Sequence, residues 1–288
     1  QSYVWYAFIR QDFLMYYRYS QKWIDLFHAE ESMIQVEIGH YIKGMHNLLN
    51  AHFDLRNFEK FQIILDQFEA FSQTPIAQQH DNFRIHTFIY IHSAKLNQHL
   101  MMGTFSAGLP LIPEIEEKLY KSELYIDRHR ILVFNYKFAT LYFGHGNFNK
   151  CIDYLQIIIN NQVGLRNDLQ CYARLMHLMA HYELGNYSII EYLIKSVYRF
   201  MAKMQNLTVI EEEMFKFLRR SFHISPRKMQ PEFVSFLETI KQYEKSRFET
   251  RAFAYLDIIS WVESKVYNKP MSEVIYAKYL SHKKRVYN

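Results

Sequence analysis

Phe143-Gly-His-Gly-Asn-Phe148 is one of four short phrases that decide the fold of this 288-residue chain. Its counterparts are Phe53-Asp-Leu-Arg-Asn-Phe58, Leu100-Met-Met-Gly-Thr-Phe105 and Tyr182-Glu-Leu-Gly-Asn-Tyr187. Each reads as the end of one helix, a tight turn, and the aromatic that opens the next helix. Gly and Asn permit the backbone such a turn requires, and the flanking apolar residues recur three and four apart, the period of a helix. The closing aromatics are separated by 47, 43 and 39 residues, spacings at or near those by which stacked helical hairpins announce themselves.

The register extends outward, with Trp23 ahead of the four phrases and Phe233 and Met271 behind them. It predicts an all-α chain of about seven antiparallel helix pairs, near residues 2–33, 35–73, 81–122, 127–161, 168–204, 208–245 and 247–286, in one continuous domain over 1–288. In the first pair the helices are expected near 2–18 and 21–33. Ser72-Gln-Thr-Pro75 closes the second, because proline cannot continue a helix. Gly108, Pro110 and Pro113 predict a kink or restart in the third, with Pro113 at the first helical position. Gly144 and Gly146 supply the fourth turn. Ser225-Pro226-Arg-Lys-Met-Gln-Pro231 interrupts the sixth pair, and Phe253, Leu256, Ile259 and Trp261 give the seventh its apolar face. Each hairpin of such a stack packs only on its neighbours.

Composition agrees. Hydrophobic residues make up 49% and charged residues 22%, as in a folded chain. Only 8 Gly and 6 Pro occur, so turns are few and helices long. The 23 Phe and 23 Tyr would favour strands if they alternated, but they follow the helical period. Cys151 and Cys171 have no CxxC or zinc spacing and read as buried, reduced packing residues, pointing to a reducing, cytoplasmic compartment. No run approaches the length of a membrane span. The net charge of +5 is modest and its basic residues are dispersed except for His282-Lys283-Lys284-Arg285, which suits a helix C-terminus, so no nucleic acid is expected. The chain opens at Gln1 already in apolar rhythm, with the expectation of a longer parent protein. Oligomeric state is not legible.

Candidate chemistry is sparse. His177 and His181 share a helix face but lack a third ligand and read as partly buried structural histidines. His40, His46 and His52 lie six apart, which rotates each by about 240° on a helix and forbids convergence. Glu211-Glu212-Glu213 reads as first-turn acids complementing a helix dipole. No phosphate loop, nucleophile elbow or dinucleotide fingerprint is present. The expectation is a protein without catalysis, metal or cofactor.

At Ala139-Thr-Leu-Tyr142-Phe-Gly-His-Gly146-Asn-Phe148-Asn-Lys-Cys151 the chain resembles the tetratricopeptide repeat, with Ala139, Tyr142, Gly146-Asn147-Phe148 and Cys151 on the family's small, aromatic, turn and small positions. The fifth pair keeps Ala180, Tyr182 and Gly185-Asn186-Tyr187 but has Ile190 in place of the last small residue. Elsewhere Leu26, Phe61, Phe236 and Val274 stand there, and the repeats run longer than about 34 residues. The resemblance implies a right-handed superhelix, turn aromatics filling the space between hairpins, and a concave face lined by the first helix of each pair. That face would hold a peptide or a partner protein. The positions that would face the groove are Lys43, His46 and Asn50, then Tyr90, Ser93 and Asn97, then Tyr136 and Thr140, then Tyr172 and Leu175. The family's carboxylate clamp of Lys, Asn and Arg is not matched, since His46 replaces its first Lys. Two roles fit: an interaction scaffold, or a peptide-sensing regulatory module of a longer signalling or transcription-regulating protein.

Overall fold

The computed structural model describes residues 1–121, 126–161, 166–221, 224–225, 228–244 and 256–286. Pro226 and Phe253 lie outside them. Among the described residues every regular element is a helix and none is a strand. The chain forms two compact units, one of Gln1–Met101 with Leu111–Ile126, the other of Met102–Pro110 with Asp127–Asn288.

The recurring phrase behaves as a helix terminator. Residues Gln11, Arg56, Gly103, Gly146, Gly185, Gln205 and Asn268 all take positive φ, between 51° and 89°, and each ends a helix. Six of the seven share one pair of hydrogen bonds. At Gly146 the amide donates to Phe143 O at 3.0 Å and the Asn147 amide donates to Tyr142 O at 2.9 Å. Arg56–Asn57, Gly185–Asn186, Gln205–Asn206, Asn268–Lys269 and Gln11–Asp12 repeat it. This is the left-handed cap that satisfies the last orphan carbonyls of a helix. Asn147 then accepts from Lys150 N at 3.1 Å and caps the following helix. The residue three past each of the four phrases is buried: Phe61, Gly108, Cys151 and Ile190.

The first unit contains α1 (Ser2–Ile9), α2 (Phe13–Ala29), α3 (Ser32–Val36), α4 (Ile38–Asp54), α5 (Phe58–Ser72), α6 (Pro75–Gln78) and α7 (Asp81–Met102). Its first turn falls at Arg10-Gln11-Asp12, where Asp12 accepts from Met15 N at 3.0 Å, and α2 then runs unbroken through Trp23. The expected helices at 2–18 and 21–33 are corrected accordingly, and Leu26, in the mistaken register, is exposed. Helix α1 lays Val4 and Ala7 against the core. Helices α2 and α4 approach closely because Gly44 has no side chain: a Cβ there would stand 2.7 Å from Ile24 Cδ1. Lys95 of α7 pairs with Glu69 of α5.

The third pair restarts as expected. Helix α8 (Phe105–Gly108) belongs to the second unit and α9 (Leu111–Lys121) to the first. Pro113 stands at the third helical position of α9, not the first, still within the turn that has no amide to lose. His92 Nε2 on α7 lies 3.6 Å from Glu114 of α9.

The second unit continues through α10 (Arg128–His145), α11 (Phe148–Ile159), α12 (Asn167–Glu183), α13 (Tyr187–Lys203), α14 (Val209–Ser221), α15 (Met229–Lys241), α16 (Ile258–Val266) and α17 (Met271–Val286). One core cluster runs from Leu132 to Val262 and includes both free cysteines, Cys151 and Cys171. Phe233 sits inside α15 rather than opening it. Gly144 is helical and forms no turn: α8 drives the Phe105 ring onto it, and a Cβ there would lie 2.3 Å from Phe105 Cζ. Tyr187, expected to fill the space between hairpins, is 61% exposed.

Contacts in this unit also reach past the next hairpin. Trp261 Nε1 on α16 donates to Glu183 Oε1 on α12 at 2.5 Å, and Lys265 Nζ reaches Glu183 Oε2 at 2.5 Å. Gly103, at φ +71°, is pressed against the backbone of α17, where Ser272 O would stand 2.6 Å from a Cβ. Helix α17 also touches α10. Strict nearest-neighbour stacking does not hold here, because buried charge and ring contacts tie the last helices to earlier ones.

Candidate partner-binding face

Of the ten residues expected on the groove, six lie in the first unit, and four of these carry or flank one cluster. Helix α4 presents Lys43, His46 and Asn50 at the three- and four-residue spacing that aligns side chains on a helix. Helix α7 supplies Tyr90, whose ring stacks on His46 at 3.8 Å between centroids and 12° between planes. His86, one turn earlier, leans on the same ring at 5.7 Å. Lys43 Nζ stands 5.6 Å from the Tyr90 ring and 5.5 Å from that of Trp5 on α1, so its ammonium is held between two aromatic faces. Among the described residues no carboxylate pairs with Lys43. Asn50 Nδ2 lies 3.1 Å from His46 Nε2, a contact that helps orient the ring.

Tyr90 is buried beneath these groups, whereas Lys43, His46 and Asn50 are half-buried. Ser93 is half-buried further along α7 and Asn97 is buried. The accessible surface therefore offers an ammonium, an imidazole, an amide and a hydroxyl, over an aromatic floor. It can bind through hydrogen bonds and cation contacts.

The four expected residues of the second unit are placed differently. Tyr172 and Leu175 are fully buried in the core, so no partner reaches them. Tyr172 Oη donates to Glu211 Oε1 at 3.0 Å. Glu211, also fully buried, accepts from the Thr208 amide at 2.8 Å and from the Thr208 hydroxyl. This is a capping box, in which the third helical residue reaches back to the N-cap. It gives Glu211 a sharper role than a solvated first-turn acid. Tyr136 is buried, and Thr140 Oγ1 donates to the Tyr136 carbonyl at 2.8 Å. The periodicity of α10 and α12 could not separate groove from core, because both helices are buried on nearly every side.

Trp5 and His86 were not singled out in the sequence. Trp5 read only as apolar rhythm, and no spacing connects α1 to Lys43. His86 is one helical turn from Tyr90, a signal that was present.

The other histidines occupy separate surroundings. His40 lies 2.7 Å from Glu37. His52 is fully buried beside Tyr17, neither ring nitrogen has a hydrogen-bond partner, and burial with help from Lys60 pulls its pKa down to about 4. His177 and His181 are half-buried with ring centroids 4.5 Å apart. Burial, His181 and Arg174 lower His177 to about 4, and burial lowers His181. Asn186 Nδ2 approaches His181 Nδ1 at 2.9 Å. Among the described residues no cluster of three or more His, Cys, Asp or Glu has the arrangement of a metal site.

Among the described residues no helix is long and apolar enough to cross a membrane. No family model matches the chain, and neither a curated protein nor a solved structure does.

Proposed function

We propose that this chain is a protein-interaction scaffold of divergent tetratricopeptide-like hairpins, working in the cytoplasm. It binds an extended peptide or a helix of a partner protein on the face formed by α4 and α7. The observation that carries the reading is the convergence of Lys43, His46 and Asn50 over Tyr90. These side chains are half-exposed and rich in hydrogen-bond donors, and they lie over a ring packed from several sides. A rigid aromatic platform with a few polar groups is how peptide-binding faces combine affinity with specificity. The repeated left-handed caps support the hairpin grammar, and Ala139 and Cys151, both fully buried, sit where the resemblance requires small residues.

The test is affinity capture from the native cell with wild-type chain and a Lys43→Glu, Asn50→Ala double variant as baits. Both substitutions fall on half-exposed positions, and the variant's helical circular dichroism serves as the folding control. A protein retained by wild type and lost from the variant supports the reading. Identical retention by both baits removes this face from consideration.

A further inference from the structure

Helix α1 is apolar on all sides. Only Val4 and Ala7 turn inward, while Tyr3, Trp5, Tyr6, Phe8 and Ile9 are 65%, 48%, 53%, 56% and 74% exposed. At 100° per residue, Trp5, Tyr6 and Ile9 point away from α2 and the other two form shoulders. The shoulders are braced: Tyr3 stacks on Tyr19 at 4.9 Å and Phe8 lies 5.7 Å from Tyr16. The patch is thus a held surface, and no residue from Ser2 to Ile9 carries a charge.

We propose that this face is a symmetric self-association surface, in which α1 of one copy packs against α1 of a second. An aromatic side chain offers about 200 Å², so the five exposed side chains offer roughly 550 Å² per copy and about 1,100 Å² per pair. Fully covered, that reaches the roughly 1,000 Å² a specific interface needs, and about 550 Å² stands at the top of the roughly 300–600 Å² span of the largest apolar patch on an ordinary monomer. A two-fold interface sets the same patch against itself. Offset aromatic rings interdigitate across such an axis, with Arg10 at 5.8 Å from the Tyr6 ring and Lys43 at 5.5 Å from that of Trp5 as the cations at its margin. The surroundings disfavour an anionic lipid surface. Through Glu31, three basic side chains (Arg10, Arg18, Lys22) are mixed with four acidic ones (Asp12, Asp25, Glu30, Glu31), whereas helices lying on membranes carry a basic polar face.

Sedimentation velocity of the full chain from about 1 to about 100 µM tests this, a range bracketing the affinity expected of a small interface. Wild type is expected to shift from monomer to dimer. The Tyr6→Glu, Ile9→Glu double variant is expected to stay monomeric, its dissociation constant raised at least about 100-fold, with helical circular dichroism unchanged and a thermal midpoint matching that of the wild type at the lowest, monomeric concentration. Single Ile9→Ser provides a milder variant with an intermediate shift if the double variant loses helix. A wild-type chain monomeric throughout overturns the proposal, as does a dimer that both variants leave intact. Flotation of a monomeric wild type with phosphatidylcholine–phosphatidylserine vesicles, lost in the variant, overturns it in favour of a lipid surface.

Discussion

Gly144 offers the sharpest test of the packing. In a helix interior, replacing glycine by alanine ordinarily gains up to about 1 kcal/mol. Here the added Cβ would stand 2.3 Å from Phe105 Cζ and 2.5 Å from both Cε atoms, against a favourable carbon–carbon separation of about 3.5–4.0 Å. The ring tip is aimed at the glycine, so relief requires more than 1 Å of movement by a ring that is almost wholly buried. It cannot retreat with its backbone, since Gly103 immediately ahead is wedged against α17. Overpacking of this kind costs about 1–3 kcal/mol, and such a deep overlap belongs at the upper end. Less the propensity gain, Gly144→Ala is expected to destabilise the second unit by about 2 kcal/mol. Urea unfolding followed by Trp261 fluorescence, with Trp5 and Trp23 of the first unit replaced by Phe in every variant, reads that unit. In a Phe105→Ala background, itself costing about 3–5 kcal/mol, the added methyl should become neutral or favourable. A double-mutant cycle isolates the coupling. Gly144→Ala as stable as wild type, or equally costly with Phe105 removed, would refute the wedge.

Two further predictions concern the caps and a buried histidine. Gln205, exposed at φ +52°, occupies the cap position that glycine fills at 103, 146 and 185; Gln205→Gly relieves about 1–2 kcal/mol of left-handed strain against some loss of chain entropy, so a gain of about 0.5 kcal/mol in the same unfolding assay is expected, and a loss would count against a strained cap. His52 has its folded pKa lowered from 6.5 to about 4, so the unfolded chain takes up the proton first. Its contribution to stability is full above pH 6.5, drains away as pH falls from 6.5 towards 4 and then levels, an effect of at most about 3 kcal/mol. His52→Phe should flatten that part of the pH profile of the first unit, read by urea midpoints at pH 7.5 and 4.5 from Trp5 and Trp23; an unchanged slope would place the proton uptake elsewhere.

The fold class was legible because the phrase encodes a physical event, the end of a helix in a left-handed cap, and four copies with an apolar or aromatic residue at both ends suffice to find it. A further copy, Phe8-Ile-Arg-Gln-Asp-Phe13, has the same outline and lacks only the glycine or asparagine that the other four carry. Gln11 takes the left-handed conformation regardless, because the aromatics on either side and the Asp12 cap fix the turn. Hence the sequence pattern places the first turn aromatic at Trp23, ten residues past Phe13, where the structure has it. Gln205 escaped notice for the same reason. In the site, α4 was readable because its polar residues fall on one side of an otherwise buried helix. Tyr172 and Leu175 were misplaced because α12 is buried on nearly every side and its polar tip, the Tyr172 hydroxyl, is satisfied by Glu211.

The contacts that escaped the sequence altogether are those between elements far apart in the chain, and they bear on what the second unit can do. Glu183 is almost wholly buried, yet both its oxygens are engaged, one by the Trp261 indole and one by Lys265. Glu263, on α16 with Trp261 and Lys265, lies 2.7 Å from Lys241 of α15 and 2.6 Å from Lys278 of α17. A buried carboxylate so held is costly to leave unpaired, so separating α16 from α12, or α17 from α16, exposes a charge without its partner. A spring-like stack, in which each hairpin slides on the next, would lack such cross-connections. The second unit is therefore cross-braced by an ion pair and an indole hydrogen bond between α12 and α16, helices that are not consecutive in the chain.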